Sequence, residues 1–154
     1  MLRNKSHNTN ETLLEENTVS LVIKAPKLDF TEIEKELNLK ATRILLNGES
    51  VFEEFELNDE DAWVYELPID TNLPLIKHLE EITNIIDLHK NYFQAVVIKY
   101  KLSIQCTYQL NLPIGIFAIP SHILNMFSIY NMNLEVMVVS HYSSKDVDII
   151  EKEF

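Results

Sequence analysis

The chain has 154 residues, 46% of them hydrophobic, and a formal net charge of −11, which fits one globular domain with a substantial core. This charge opposes direct nucleic-acid binding, because phosphates would be repelled and the basic residues form no cluster. No apolar run is long enough to span a bilayer and residues 1–16 lack a signal-peptide core, so we expect a cytoplasmic protein outside the membrane. The acidic surface either serves solubility alone or suits a basic protein partner.

The first elements in chain order are a leader, a strand and a capped helix. Residues 1–17 lack periodicity and predict a flexible leader, residues 18–142 a single α+β domain, and residues 143–154 a charged tail. Alternating apolar residues predict a strand over residues 18–25. A helix follows, with a capping box of Asp29 and Glu32, an end at Asn38, and an apolar face of Phe30, Ile33 and Leu37.

An acidic segment, residues 49–61, follows a short extended piece (residues 40–46) and an Asn47-Gly48 turn signal. The acidic segment has seven carboxylates in thirteen residues and no basic residue, and it could be a helix or an irregular loop held by Phe52 and Phe55. We expect it either to face water or to contact a partner through Phe52, Glu53, Glu54, Phe55, Asp59 and Glu60.

The middle of the chain predicts a strand and the longest helix. Residues 62–67 alternate with Trp63 and Tyr65 on one face, and residues 71–88 carry a continuous apolar stripe with Pro74 in the first turn.

Residues 94–108 predict the strand around which the sheet is organised. Alternate residues form an apolar set, and the intervening residues form a mostly polar set, which is typical of an antiparallel strand with one wet face. The apolar set is Val96, Ile98, Tyr100, Leu102, Ile104, Cys106 and Tyr108. Cys106 is the only cysteine, and its place in this set predicts a small buried side chain and not a nucleophile.

The last elements are predicted to be a strand over residues 113–119 beside the organising strand, a helix over residues 120–130, and a final strand over residues 134–140. The helix face is expected to carry Ile123, Leu124, Phe127 and Tyr130. The final strand is apolar on both faces apart from Glu135, which predicts an interior position. The whole pattern predicts an α+β fold with about five antiparallel or mixed strands, three helices mainly on one face, and a ferredoxin-like arrangement.

Several short motifs resemble a bacterial family known as domain of unknown function 4279. They are the run from Leu37 to Arg43 after the capped helix, then Asn47-Gly48-Glu49, then Trp63 followed by Glu66, and finally Ile119-Pro120-Ser121 opening a helix before the last strand. The likeness spans roughly residues 19–142. Asn38 stands where the family usually has Gly, and a leucine stands where it has an aromatic residue after the Arg. The resemblance implies a compact α/β domain and no assigned chemistry.

The sequence shows no catalytic constellation. His78 and His89 would lie about 16 Å apart along one helix, too far for one metal ion. Ser121 and His122 are helix neighbours that point apart, and only Gly48 and Gly115 are glycines, which excludes a glycine-rich phosphate loop. We therefore expect no enzyme, no cofactor and no metal.

Arg43 and Trp63 are the two remaining candidate binding residues, because arginine and tryptophan are favoured as interface anchors. The alternative is that Arg43 pairs with a carboxylate while Trp63 fills the core.

Two functions fit the sequence. The first is a non-catalytic acidic protein-binding domain, similar to an immunity protein or a phage or host inhibitor, with a basic partner and a homo-oligomer left open. The second is a small-molecule binding or sensing domain with a pocket between the sheet and the helices near Trp63 and Arg43.

Overall fold

The computed structural model describes residues 15–49 and 59–140. Within these ranges, five strands and four helices follow in the order β1 (Glu15–Ala25), α1 (Phe30–Leu37), β2 (Arg43–Leu45), β3 (Asp61–Glu66), α2 (Leu75–Leu88), α3 (Lys90–Val96), β4 (Lys101–Leu110), α4 (Ser121–Ile129) and β5 (Asn133–Ser140). The leader up to residue 14, residues 50–58 and the predicted tail lie outside the described residues. Strand β1 begins three residues earlier than expected.

The strands form one mixed sheet in the order β2-β3-β1-β4-β5. All neighbours are antiparallel except β4 and β5, which are parallel and are connected through α4. The first four strands have the strand order of the ferredoxin-like β-α-β-β-α-β unit, and α4 and β5 extend it by one parallel crossover. The predicted α+β class is confirmed, with a fourth helix within the described ranges where three were expected.

The core lies between one face of this sheet and the helices. Side chains alternate along a strand, so every second residue of β1, β3 and β4 points into the core. The central buried residues are Val19, Leu21, Ile23, Trp63, Leu102 and Ile104 from the strands and Ile33, Leu79, Ile82, Phe93, Ile123 and Phe127 from the helices. The opposite face, here called the outer face, includes Val22, Lys24, Arg43, Ala62, Val64, Lys101, Ser103 and Gln105.

Helix α1 begins and ends as its sequence predicts. Asp29 is the N-cap, and its Oδ1 accepts a hydrogen bond from the backbone N–H of Glu32 at 3.0 Å. Asn38 adopts the left-handed conformation with φ of 51°, which ends the helix. Ile33 and Leu37 are buried, so the predicted apolar face is confirmed at these two positions.

The prediction of a strand is wrong for residues 94–100, the first half of the organising strand. Residues 90–96 form α3, and β4 begins only at Lys101. Phe93 and Val96, three residues apart, both turn into the core, so helical spacing satisfies burial better than alternation does. Ile98 lies in the connection to β4 and is 90% exposed, whereas Ile104 is fully buried as predicted.

Three further predictions near the C-terminus are corrected. Residues 113–119 are irregular, because β4 already pairs with β1 on one side and β5 on the other. Strand β5 lies at the edge of the sheet and not in its interior, with Met137 and Val138 more than half exposed. Leu124, expected on the apolar face of α4, is 44% exposed.

Candidate functional site

An uncharged loop over residues 111–120, here called the apolar loop, connects β4 to α4. The segment contains no Asp, Glu, Lys or Arg, although 24% of the chain is charged. It exposes three large aliphatic side chains: Leu112 by 42%, Ile114 by 77% and Ile116 by 87%. A concentration of exposed apolar side chains in one uncharged segment is a feature of interaction sites.

The apolar loop rests directly on the end of β4. A Cβ atom at Gly115 would lie 2.6 Å from both δ carbons of Leu110 and 2.8 Å from Oη of Tyr108. The missing side chain therefore permits the loop backbone to approach these residues closely. Phe117 adds an edge-to-face contact with Tyr108, at 4.9 Å between ring centroids. This packing holds the loop against the domain while Ile114 and Ile116, on either side of Gly115, stay exposed.

A cleft lies between the apolar loop and the start of α2. It has a volume of about 370 Å³ and is lined by Pro74, Leu75, Ile76, Ile116, Phe117, Ala118 and Pro120. None of these side chains carries a charge or a hydrogen-bonding group, so the cleft, here called the loop–helix cleft, suits an apolar side chain.

Asn17 of β1 ties the residues just before α2 to the sheet. The backbone N–H of Asn17 donates to the carbonyl of Thr71 at 2.8 Å, and its Nδ2 donates to the carbonyl of Leu73 at 3.0 Å. His78, one turn into α2, is 1% exposed. Burial lowers the pKa of His78, and the nearby backbone of Asp70 and Leu73 offsets only part of this effect, so the imidazole is neutral at pH 7.

Arg43 and Trp63 do not share one pocket. Trp63 is fully buried in the core and stacks with Tyr65 at 6.1 Å between ring centroids. Arg43 is exposed on the outer face, where β2 places it opposite Val64. Because neighbouring residues of β3 point to opposite faces, the sheet itself separates the two side chains.

Most of the acidic segment, including Phe52, Glu53, Glu54 and Phe55, lies outside the described residues. Asp59 is exposed, and Glu60 forms an ion pair with Lys101 at 2.7 Å between Oε1 and Nζ, which raises the pKa of the lysine. Asp61 is not a solvated charge, because it is 9% exposed in β3 and accepts hydrogen bonds from the backbone of Leu28 and Asn47. Glu60 and Asp61 therefore have partners within the domain.

The remaining chemistry-bearing groups show packing roles. Cys106 is 2% exposed as predicted, and burial raises the pKa of its thiol to about 12, so the nucleophilic thiolate does not form at neutral pH. Across residues 15–49 and 59–140, no three His, Cys, Asp or Glu side chains come together as metal ligands would. In the same ranges, every helix is too short or too polar to cross a membrane.

Sequence reasoning missed the apolar loop as a site, because it assigned residues 113–119 to a strand. Two prolines and a glycine within eight residues were the available signal, since they disfavour a paired strand.

A comparison with protein families identifies the chain by its similarity to a family model. The family model Domain of unknown function (DUF4279) matches residues 15–141. No curated protein and no solved structure matches the chain significantly.

Proposed function

The chain belongs to the DUF4279 family, a domain of unknown function, and we propose that it is a non-catalytic domain that acts by binding another protein. It would work as immunity proteins and inhibitors do, by occupying a partner's surface. The apolar loop carries this proposal, because it displays Ile114 and Ile116 to solvent beside the loop–helix cleft.

The energy of apolar burial favours a partner that covers both the apolar loop and the loop–helix cleft. Burying a large aliphatic side chain contributes about 1.5–3 kcal/mol, so two isoleucines that stay exposed leave this stabilisation unused in the free domain. A partner gains it by covering the loop, and it gains more by placing an apolar side chain in the loop–helix cleft. A protruding group beside a recess is the arrangement that well-packed interface centres use.

The net charge of the chain favours a protein over a lipid surface as its partner. The net charge of −11 is repelled by anionic lipid headgroups, which would weaken adsorption through the apolar loop. The same charge speeds association with a basic protein, in a way that salt screens. We therefore propose a partner with an apolar contact region surrounded by basic residues. The acidic segment as part of that interface stays a prediction.

The test uses the purified chain as bait in its native cell, followed by titration of the captured partner against variants. We expect the Ile114→Ser, Ile116→Ser double variant to weaken binding about a hundredfold or more, from the burial energy of the two side chains. Ile98→Ser is the matched control, because Ile98 is 90% exposed but lies in the connection between α3 and β4. This control should bind like the unchanged chain.

Two results would overturn the proposal. A captured partner that binds the double variant as tightly as the unchanged chain does not use the apolar loop. Adsorption of the chain to vesicles of zwitterionic lipid, lost in the double variant, would show that the apolar loop serves a membrane surface instead.

A further inference from the structure

The two edges of the sheet differ in how they are protected against pairing with another strand. One edge is β2, which is three residues long and carries the exposed cation Arg43. The other edge is β5, which is eight residues long, contains one charged residue, Glu135, and pairs with β4 along its whole length without a bulge. Proteins that stay monomeric commonly protect an edge by shortness, charge, proline or a bulge. Strand β2 follows this rule and β5 does not.

The outer edge of β5 is uncharged. The Glu135 carboxylate is turned toward β4, where its Oε2 accepts a hydrogen bond from Nε2 of Gln105 at 3.1 Å. Met137 is 59% exposed and Val138 is 56% exposed, although the two side chains point to opposite faces of the sheet. Among the strands of residues 15–49 and 59–140, only β4 pairs with β5. Backbone N–H and C=O groups on the other side of β5 therefore offer a template for a further strand.

The charge distribution favours a second copy of the chain as the occupant of this edge. Glu135 is the only Asp, Glu, Lys or Arg among residues 111–140, so nearly all of the net charge of −11 lies elsewhere. Two copies that meet through β5 therefore join the parts of their surfaces that repel each other least. A strand rich in basic residues gains little here, because the one carboxylate of β5 is already held by Gln105.

We propose that β5 pairs with β5 of a second copy, antiparallel about a two-fold axis, which joins the two sheets into one. Opposite side chains must lie on the same face, so the axis passes through a residue and not between two residues. Centring on Met137 sets Val136 against the partner subunit's Val138, and Glu135 against the partner subunit's Val139. The two Glu135 side chains are then about 13 Å apart along the strands, beyond the screening length of about 10 Å at 0.1 M salt. Centring on Val136 would halve that separation.

Met137→Cys tests the register, because residue 137 faces its own copy across the axis. Opposite residues of an antiparallel pair have Cα atoms about 4.5–5.5 Å apart, a distance that a disulfide spans. We expect a disulfide-linked dimer under mild oxidation, since the native Cys106 is buried. Ile98→Cys is the matched control, because Ile98 is 90% exposed in the connection between α3 and β4 and should cross-link far more slowly. Glu135→Cys and Val139→Cys should cross-link with each other in a mixture and more slowly with themselves.

Sedimentation equilibrium measures the dimer without a cross-link. The unchanged chain should associate reversibly to twice 18.0 kDa between micromolar and millimolar concentration. Added salt should strengthen this dimer, because it screens the repulsion between two acidic domains, whereas it should weaken binding of a basic protein. Met137→Lys sets two like charges opposite each other and should weaken the dimer about tenfold or more, while Ile98→Lys should leave it unchanged.

Three results would overturn the proposal. They are a mass of 18.0 kDa at every concentration, equal cross-linking of Met137→Cys and Ile98→Cys, and a mass that keeps rising beyond the dimer, which would show open-ended pairing of β5 with β2. A chain that stays monomeric, but whose captured protein partner is lost in Met137→Lys, would show that the edge of β5 serves a different protein. The β5 variants leave residues 111–120 unchanged, so failure of this proposal and failure of the apolar-loop test are distinguishable.

Discussion

Replacing Asp61 with asparagine tests whether one buried carboxylate holds two turns to the sheet. Its Oδ2 accepts the backbone N–H of Leu28 at 2.9 Å, and its Oδ1 accepts the backbone N–H of Asn47 at 2.8 Å. Leu28 lies between β1 and α1, and Asn47 lies in the turn after β2. Asparagine keeps one acceptor oxygen but turns its NH₂ group toward the second backbone N–H, so one bond is replaced by two facing donors.

The expected loss is about 3 kcal/mol. A hydrogen bond to a charged group contributes about 1.5–3 kcal/mol, and the bond that remains becomes a weaker neutral one. Such a loss is a large share of a typical domain stability of about 5–15 kcal/mol. Urea unfolding followed by the fluorescence of Trp63 measures it, since Trp63 is the only tryptophan and is fully buried.

The pH dependence of the unfolding free energy provides a second test of the role of Asp61. The two backbone N–H donors lower the pKa of Asp61 below 3.8, its value in the unfolded chain, against the opposing effect of burial. The folded state therefore binds fewer protons, and the stabilisation is fully present above pH 3.8 and lost as pH falls through the folded pKa. The difference in unfolding free energy between the unchanged chain and Asp61→Asn should be constant at higher pH and become smaller below pH 3.8.

Asp59→Asn is the control, because it removes the same charge at an exposed position two residues earlier. It should change stability by less than about 0.5 kcal/mol. Equal losses for the two variants would refute the inference that the Asp61 hydrogen bonds stabilise the fold.

Three further predictions follow from burial, titration and close contact. Ile104→Ala should cost about 2–5 kcal/mol in urea unfolding and Ile98→Ala almost nothing, so equal costs would contradict the placement of β4. Burial lowers the pKa of His78 below 6.5, so the unfolded state binds the proton at a higher pH than the folded state. The free energy of unfolding should therefore fall as pH drops below 6.5. Unfolding measured over a range of pH should show a weaker dependence in His78→Leu. Gly115→Ala forces the δ carbons of Leu110 and Oη of Tyr108 to move, at a small cost in stability because both are side-chain ends. It should alter the methyl shifts of Leu110, whereas unchanged shifts would show that the loop does not rest there.

The ferredoxin-like core was predictable because its local signals agree with its tertiary contacts. Asp29 and Asn38 mark the ends of α1 with side-chain chemistry that acts within a few residues. The alternation along β1 has only one assignment that buries Val19, Leu21 and Ile23 together. Such signals need no knowledge of distant parts of the chain.

The errors arose where two periodicities competed or where position in the sheet mattered. Residues 94–100 contain β-branched residues that favour a strand, yet Phe93 and Val96 are both buried by a helical turn. Strand β5 is apolar on both faces, a pattern typical of parallel strands, and it is indeed parallel to β4. Its place at the edge depends on the strand order, which no local pattern contains.

The candidate sites were only partly predictable for the same reason. Arg43 is singled out by residue type, and the structure places it exposed on the outer face of the sheet. Val64 of β3 lies opposite both Arg43 of β2 and Val22 of β1, and no spacing in the sequence indicates this register. Trp63, chosen by the same argument, packs in the core.

The central position of β1 has a consequence for synthesis on the ribosome. This first strand pairs with β4 from Glu15–Leu110 to Lys24–Lys101, and with β3 on its other side. Translation proceeds at about 5–20 residues per second, so β1 waits on the order of ten seconds for its longer neighbour to emerge. Until Leu110 has been made, β1 lacks β4 and one of its edges is unpaired, and the acidic charge of the chain then opposes aggregation through that edge.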